Sequence, residues 1–204
     1  MPTVVYRISD LLDQILAEVP VGTNLGLFHL LWTLLAGRFL NARGAVFPAV
    51  HDTGLSAQAV RRANNALAYG RWNIADLLGR WHQVVQQEKR WVPNSYEGIR
   101  PVAADLTGFF RPKLAGCVGK HYLAQAGKAL PATLIGMVGA AGHLGCGRLA
   151  LPRLLLTGSD KETTDAALES RLIQEANRTL AKDEALIVDA GFELTDLLQE
   201  GAVL

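Results

Sequence analysis

Cysteine is scarce in this chain, and charge is thin. Only two of the 204 residues are cysteine, which excludes a disulfide scaffold. Cys117 and Cys146 stand 29 positions apart with no second cysteine or paired histidine at ligand spacing, so a structural zinc site is excluded and a reducing compartment fits. Charged residues are 19% against 50% apolar, and that surface, once buried, offsets the entropy of ordering, so disorder is not the main state. Long unbroken apolar runs are missing too. Met1–Pro20 carries Asp10, Asp13 and Glu18 and lacks the basic start and continuous apolar core of a signal peptide. The longest uncharged run, 129–147, is broken by Pro131, several glycines and His143, and reads as soluble chain rather than a membrane span. Leu25–Gly37 is more apolar but too short to cross a bilayer, and predicts a buried helix. The expectation is a cytoplasmic protein that makes no membrane contact.

At 22.0 kDa the chain has room for one ordinary domain, or for a small domain followed by part of another. A net charge of +1 conceals a gradient. Residues 1–93 hold nine basic and six acidic side chains, 94–160 seven and three, and 161–204 four and ten. The basic first three-quarters permits a polyanionic partner, although a solvated surface accounts for such an excess equally well.

From Ile8 to Trp91 apolar residues recur at spacings of three and four, the period of helices. The clearest follows Asn73 as N-cap: Ile74, Leu77, Leu78, Trp81, Val84 and Val85 form one stripe, with Asp76, Arg80, Gln83 and Gln87 largely opposite. Pro93 closes that pattern, and the Pro/Gly-containing segment Trp91–Pro101 is the natural boundary, giving regions 1–95 and 96–204. Beyond it, 99–105, 130–141 and 148–156 read as strands, with a hairpin turn at 142–147. Ser159 and Glu162 form a capping-box pair before a helix striped by Leu168, Leu172, Ala176 and Leu180. Ala185–Asp189 reads as a buried strand and 193–200 as a last short helix. The fold class is therefore α/β: an all-helical region followed by a mixed sheet with flanking helices.

Two aspartates stand out, each at the C-terminal end of an apolar strand pattern: Asp105 in Val-Ala-Ala-Asp-Leu-Thr and Asp189 in Leu-Ile-Val-Asp-Ala-Gly-Phe. Strand ends in open α/β sheets are where sites form. On neighbouring strands the two carboxylates would repel unless a cation lay between them. Mg²⁺ (or Mn²⁺) takes one or two protein carboxylates and completes its shell with water and phosphate oxygens, which suits phosphodiester chemistry. Either aspartate alone is equally well explained as a turn or helix cap; the pair favours metal.

A second feature, 46–68, reads as a helix-turn-helix. Gly54 supplies the positive φ of the turn, Ser56 caps the second helix, and Val60 packs back near Val50. Gln58, Arg61, Arg62 and Asn65 remain for a partner, and these are side chains that read base edges and phosphates in a major groove. A plain helical hairpin with a solvated face is the competing reading. Arg111, Lys113, Lys120, His121 and Lys128 form a basic segment able to meet phosphates near Asp105, or merely a solvated loop. Gly136, Gly139, Gly142, Gly145 and Gly147 resemble a phosphate loop only superficially, because a strand-like run follows where a helix should begin. His29, His51, His82 and His143 lack ligand or nucleophile spacing, and the four tryptophans at helical positions read as core.

Three segments, 102–110 with Asp105, 127–131 and 186–192 with Asp189, together resemble the insertion-sequence transposases of the DDE type. The resemblance implies an RNase H-like core whose two Asp and one Glu hold two metal ions, and N-terminal helices that bind the element's ends. Asp105 matches the first family aspartate and Asp189 the second. The family glutamate lies on a later element, whereas the chain ends 15 residues after Asp189, and Glu193 and Glu200 stand too early to replace it. The expectation is the N-terminal portion of a transposase with an incomplete RNase H-like core. Its partners would be the element's terminal repeats, target DNA, and itself or full-length transposase as an oligomer, at a nucleoid-associated location. A non-catalytic DNA-binding regulator and, more weakly, a nucleotide-binding α/β protein using 136–147 are the alternatives.

Overall fold

Trp91, which falls in the boundary segment of the sequence, is instead an anchor: its indole Nε1 donates to Leu149 O at 2.9 Å, and a Cβ on Gly142 would run into its ring. The computed structural model describes residues 2–42, 45–110, 119–158, 164–189 and 191–192, and the chain divides into two compact units, Met1–Gln87 and Glu88–Leu204. The division thus precedes Trp91. The chain is mixed α/β, and no helix among the described residues is long and apolar enough to cross a membrane.

The first unit contains α1 (Pro2–Ile15), α2 (Thr23–Leu35), α3 (Arg38–Asn41), α4 (Val46–His51), α5 (Ala57–Tyr69) and α6 (Ile74–Glu88). Asn73 Oδ1 accepts from Ala75 N at 2.7 Å at the start of α6. The α6 stripe is only partly covered: Val84 is buried, whereas Ile74 and Trp81 are exposed, which corrects the reading of Trp81 as core. α2 is not the buried helix its composition predicts. Gly26, Leu27 and Thr33 are buried, but Leu25, Leu34 and Leu35 face solvent. The cause is a crossing through small residues. A Cβ on Gly26 would overlap the Ala66 Cβ and stand 3.0 Å from Arg62 O, so α2 and α5 meet backbone to backbone along one narrow side.

The second unit contains β1 (Trp91–Pro93), β2 (Arg100–Phe110), β3 (Lys120–Leu123), β4 (Lys128–Ala140), β5 (Gly142–Leu144), β6 (Gly147–Arg148), β7 (Leu151–Thr157), α7 (Asp165–Thr179) and β8 (Glu184–Ile187). β1, β5 and β6 make a small antiparallel sheet, with Gly145 at φ 60° in the β5–β6 turn. In the main sheet the order is β3-β4-β2-β8, and β7 pairs with β4 as well. β4 runs antiparallel to both β2 and β7, and β8 returns parallel to β2 after α7.

The β2–β4 ladder runs from Val102↔Ala140 to Phe110↔Ala132. Asp105 therefore lies in the middle of β2, not at its end as the apolar run implied. The period-two alternation explains this: Val102, Ala104 and Leu106 point into the core, Asp105, Thr107 and Phe109 point the other way, and a polar residue on the open face does not stop a strand. α7 covers the core face with Leu168, Leu172, Ile173 and Ala176, all fully buried. Its N-cap is Thr164, whose Oγ1 accepts from Ala167 N at 3.4 Å, whereas Ser159 and Glu162 lie outside the described residues, as does the helix expected at 193–200.

An ion-pair network at the start of β8 ties it to β2 and β7. The Glu184 side chain, 2% exposed, accepts from Arg153 Nη1 at 2.8 Å, from Arg153 Nη2 at 2.6 Å and from Ala181 N at 3.0 Å, and Arg100 Nη2 lies 3.3 Å away. Arg100 makes a second fork to Asp183, at 2.8 and 2.9 Å. The Arg153 hydrogen bonds hold the Glu184 carboxyl below its ordinary value against the opposing effect of burial, with Ala181 N and the charges of Arg153 and Arg100 adding to the same direction.

These contacts make stability measurable at two positions. Gly26→Ala should lose about 1–3 kcal/mol to overpacking, exceeding the roughly 1 kcal/mol gained in helix propensity, as read from urea unfolding by circular dichroism. Glu184→Ala should cost about 1–3 kcal/mol at pH 7, because it leaves the half-buried Arg153 guanidinium without its carboxylate. Because the folded pKa is depressed, the Glu184 contribution is complete above its ordinary value of 4.5 and fades as pH falls through the lowered one. The gap between the native chain and Glu184→Gln should therefore narrow on acidification, and a constant gap would contradict the network.

Candidate functional site

β8 is short, but its register is informative. The parallel ladder pairs Arg100↔Glu184, Pro101↔Ala185, Val102↔Leu186 and Ala103↔Ile187. β8 ends at Ile187, and the same register continued two positions further would bring Asp105 level with Asp189. Leu186 and Val188 pack into the core beside Val102 and Ala104, so the alternation turns Asp189 and Asp105 to the same, opposite face. Adjacent strands lie about 4.8 Å apart, and both aspartates are exposed. Beyond β8 the chain turns inward: Asp189 Oδ1 accepts from Gly191 N at 3.0 Å, Phe192 N donates to Asp189 O at 3.3 Å, and Phe192 is buried in the core. Asp189 thus also serves as the turn cap that its sequence context offers as an alternative role. One of its oxygens carries that contact.

Among the described residues the Asp105 side chain has no hydrogen bond or ion pair, and no Lys, Arg or His side chain forms an ion pair with either aspartate. This sets the pair apart from Glu184, whose charge two guanidinium groups neutralise. Two exposed carboxylates on one face without a protein cation fit a hard divalent ion that keeps water in its remaining positions. No group of three His, Cys, Asp or Glu that could hold a metal occurs among the described residues.

Residues 46–68 form two helices, α4 and most of α5, joined by a turn. α4 ends before Gly54 at φ 80°, Ser56 Oγ accepts from Ala59 N at 3.3 Å, and Val50, Val60 and Ala63 make a small core with Leu30, Val46 and Leu55 against them. Gln58, Arg61, Arg62 and Asn65 are all exposed, at the i, i+3, i+4, i+7 positions of one α5 face. Neither arginine has a carboxylate partner among the described residues. The positive field of that face reaches inward: the His29 imidazole is held below its ordinary value first by burial and then by Arg62.

The remaining basic residues are not gathered at the carboxylates. Lys120 pairs with Pro131 and Lys128 with Leu123 in the β3–β4 hairpin, whereas Asp105 pairs with Met137. At about 3.4 Å per residue, Pro131 and Lys128 lie roughly 20 and 30 Å along β4 from that point. His121 is engaged elsewhere, with Nδ1 2.9 Å from Asp165 Oδ1 at the start of α7, above the space Gly108 leaves open. Arg111 and Lys113 lie outside the described residues. The glycines at 136–147 sit in β4 and the β5–β6 hairpin with no helix start after them, so the phosphate-loop alternative has no structural basis. Sequence reasoning misses Thr107 and Phe109, which share the open face of β2 with Asp105; continuing the period-two pattern past Asp105 finds them. No family model, curated protein or solved structure matches the chain.

The α5 face yields a direct test. Arg61→Gln with Arg62→Gln should weaken binding to duplex DNA of any sequence and reduce the salt dependence, in log K against log salt, by about 2, at roughly 0.9 per phosphate contact. Fluorescence anisotropy at several salt concentrations reads both quantities, and an unchanged slope would remove α5 from the interface.

Proposed function

We propose that this chain is a DNA-processing protein of the DDE transposase type, with the helical unit binding duplex DNA and the sheet unit carrying the metal-dependent phosphodiester site. One observation carries the reading: the β2–β8 register, which continued two positions past its last pair, Ala103↔Ile187, would set Asp105 beside Asp189. The order β7-β4-β2-β8, three antiparallel strands and then a helix leading to a parallel fourth, supports an RNase H-like core. Support for the DNA partner comes from the exposed Gln58, Arg61, Arg62 and Asn65 row.

Asp105 and Asp189 would hold Mg²⁺ or Mn²⁺, which when bound stabilises the charge developing on phosphodiester oxygens. The chain's own residues do the rest. Phe192, buried behind the turn, anchors the segment that carries Asp189, and the Val102–Leu186 pairing would set the spacing of the two carboxylates. On α5, Arg61 and Arg62 neutralise phosphates while Gln58 and Asn65 reach base edges. The DNA would be the element's ends and the target, read by this chain as an oligomer or together with full-length transposase, in a nucleoid-associated setting. A second reading, a non-catalytic regulator that competes for the element's ends, is favoured by the lack of a third metal-ligating group among the described residues.

Nicking of supercoiled plasmid DNA in Mg²⁺ or Mn²⁺ separates the two. The catalytic reading expects metal-dependent nicking that falls about 100-fold or more in Asp105→Asn and in Asp189→Asn, corresponding to several kcal/mol of lost charge stabilisation. The regulator reading expects DNA binding without nicking, indifferent to both substitutions.

A further inference from the structure

Phe109 is an aromatic ring without a partner. It is 57% exposed on β2, and no ring contact engages it among the described residues, whereas its neighbour Phe110 points to the other face and lies against His121 with ring centroids 5.8 Å apart. Its cross-strand partner is Thr133, a small exposed residue that leaves the ring face open. Phe109, Thr107 and Asp105 alternate onto one face of β2, in the order carboxylate, hydroxyl, ring from Asp105 onward. From Asp105 to Phe109 is four residues, about 13 Å along the strand. The surrounding chain suits a polyanion. Lys120 pairs with Pro131, two residues along β4 from Thr133, so by the same alternation it lies on the face of Phe109.

We propose that this strip is a track for an unpaired nucleic-acid strand, on which Phe109 stacks a base a few nucleotides from the phosphate that a divalent ion at Asp105 and Asp189 would hold, with the Thr107 hydroxyl donating to the backbone between them. Phe109 is a positioning residue in this scheme. It fixes where the strand lies and takes no part in the reacting bond. Stacking on an exposed ring is tolerant of sequence, because every base has a flat face, so the track holds a strand that α5 has selected elsewhere. The catalytic role of the neighbouring aspartates rests on the function proposed above, but the stacking itself does not require metal.

The experiment therefore runs in EDTA on the full chain, with two fluorescent probes of equal length: an oligothymidylate and the same deoxyribose-phosphate backbone without bases. The native chain should bind the oligothymidylate about 10-fold more tightly than the abasic strand, the scale of base–aromatic stacking. Phe109→Leu, which keeps an apolar residue at an exposed position, should bind both probes equally, and Phe109→Trp should restore the preference. Circular dichroism melts confirm that the variants fold. Equal binding of both probes by the native chain, or a preference that survives in Phe109→Leu, overturns the proposal. Nicking that persists while the preference is absent removes the stacking alone. A preference that persists without nicking removes the catalytic reading alone.

Discussion

The parallel pairing of β2 with β8 is the constraint on which the rest of the second unit depends. The two strands come from opposite ends of the unit, and parallel neighbours can be joined only by a crossover, here through α7. The crossover helix buries Leu168, Leu172, Ile173 and Ala176 over the sheet, and Val102, Ala104, Leu186 and Val188 meet it from the two strands. Burial alone would tolerate a slip of β8 along β2. The Glu184 network opposes one, because moving β8 would pull a buried carboxylate away from the Arg153 fork and from Ala181 N. A slip of one residue would also turn Asp189 into the core. The ionic lock at the start of β8 and the facing of Asp189 just past its end thus depend on one register.

Charge is distributed by the same logic. The acidic excess after residue 160 is partly consumed within the fold: Asp165 pairs with His121, Asp183 with Arg100, and Glu184 with Arg153 and Arg100. The arginines in these pairs come from the basic middle of the chain. Among the described residues without an ion-pair partner are Asp105 and Asp189 in the second unit and Arg61 and Arg62 on the outer face of α5. A cation suits the first and a polyanion the second, and DNA with a divalent metal supplies both.

Much of this arrangement is legible in the amino-acid sequence. Gly54, Ser56 and Val60 define the turn, cap and packing of α4 and α5 because each residue acts within a few positions of itself, and the Leu168–Leu172–Ala176 stripe of α7 is equally local. Asp105 is conspicuous in the sequence but misplaced by it, since its charge looks like the end of an apolar run when it is one step of an alternation. The α2 leucines mislead for the opposite reason: apolar content says that a helix has a partner, but the Gly26–Ala66 crossing decides how narrow the contact is. The Arg100–Asp183 pair spans 83 positions, and nothing local marks it. Lys120 and Lys128 stand near Asp105 along the chain, whereas the β3–β4 hairpin carries them to the far end of β4.

The central claim is that Asp105 and Asp189 form one divalent-metal site, and it can be read from the backbone itself. Fe²⁺ substituted for Mg²⁺, supplied with hydrogen peroxide and with ascorbate to re-reduce the Fe³⁺ formed, splits the peroxide to hydroxide and a hydroxyl radical where it binds, and the radical cuts the chain nearby. The account predicts cleavage around both Asp105 and Asp189, suppressed together by excess Mg²⁺ and lost together when either residue becomes Asn. Cleavage at only one of the two segments, or at neither, would contradict it.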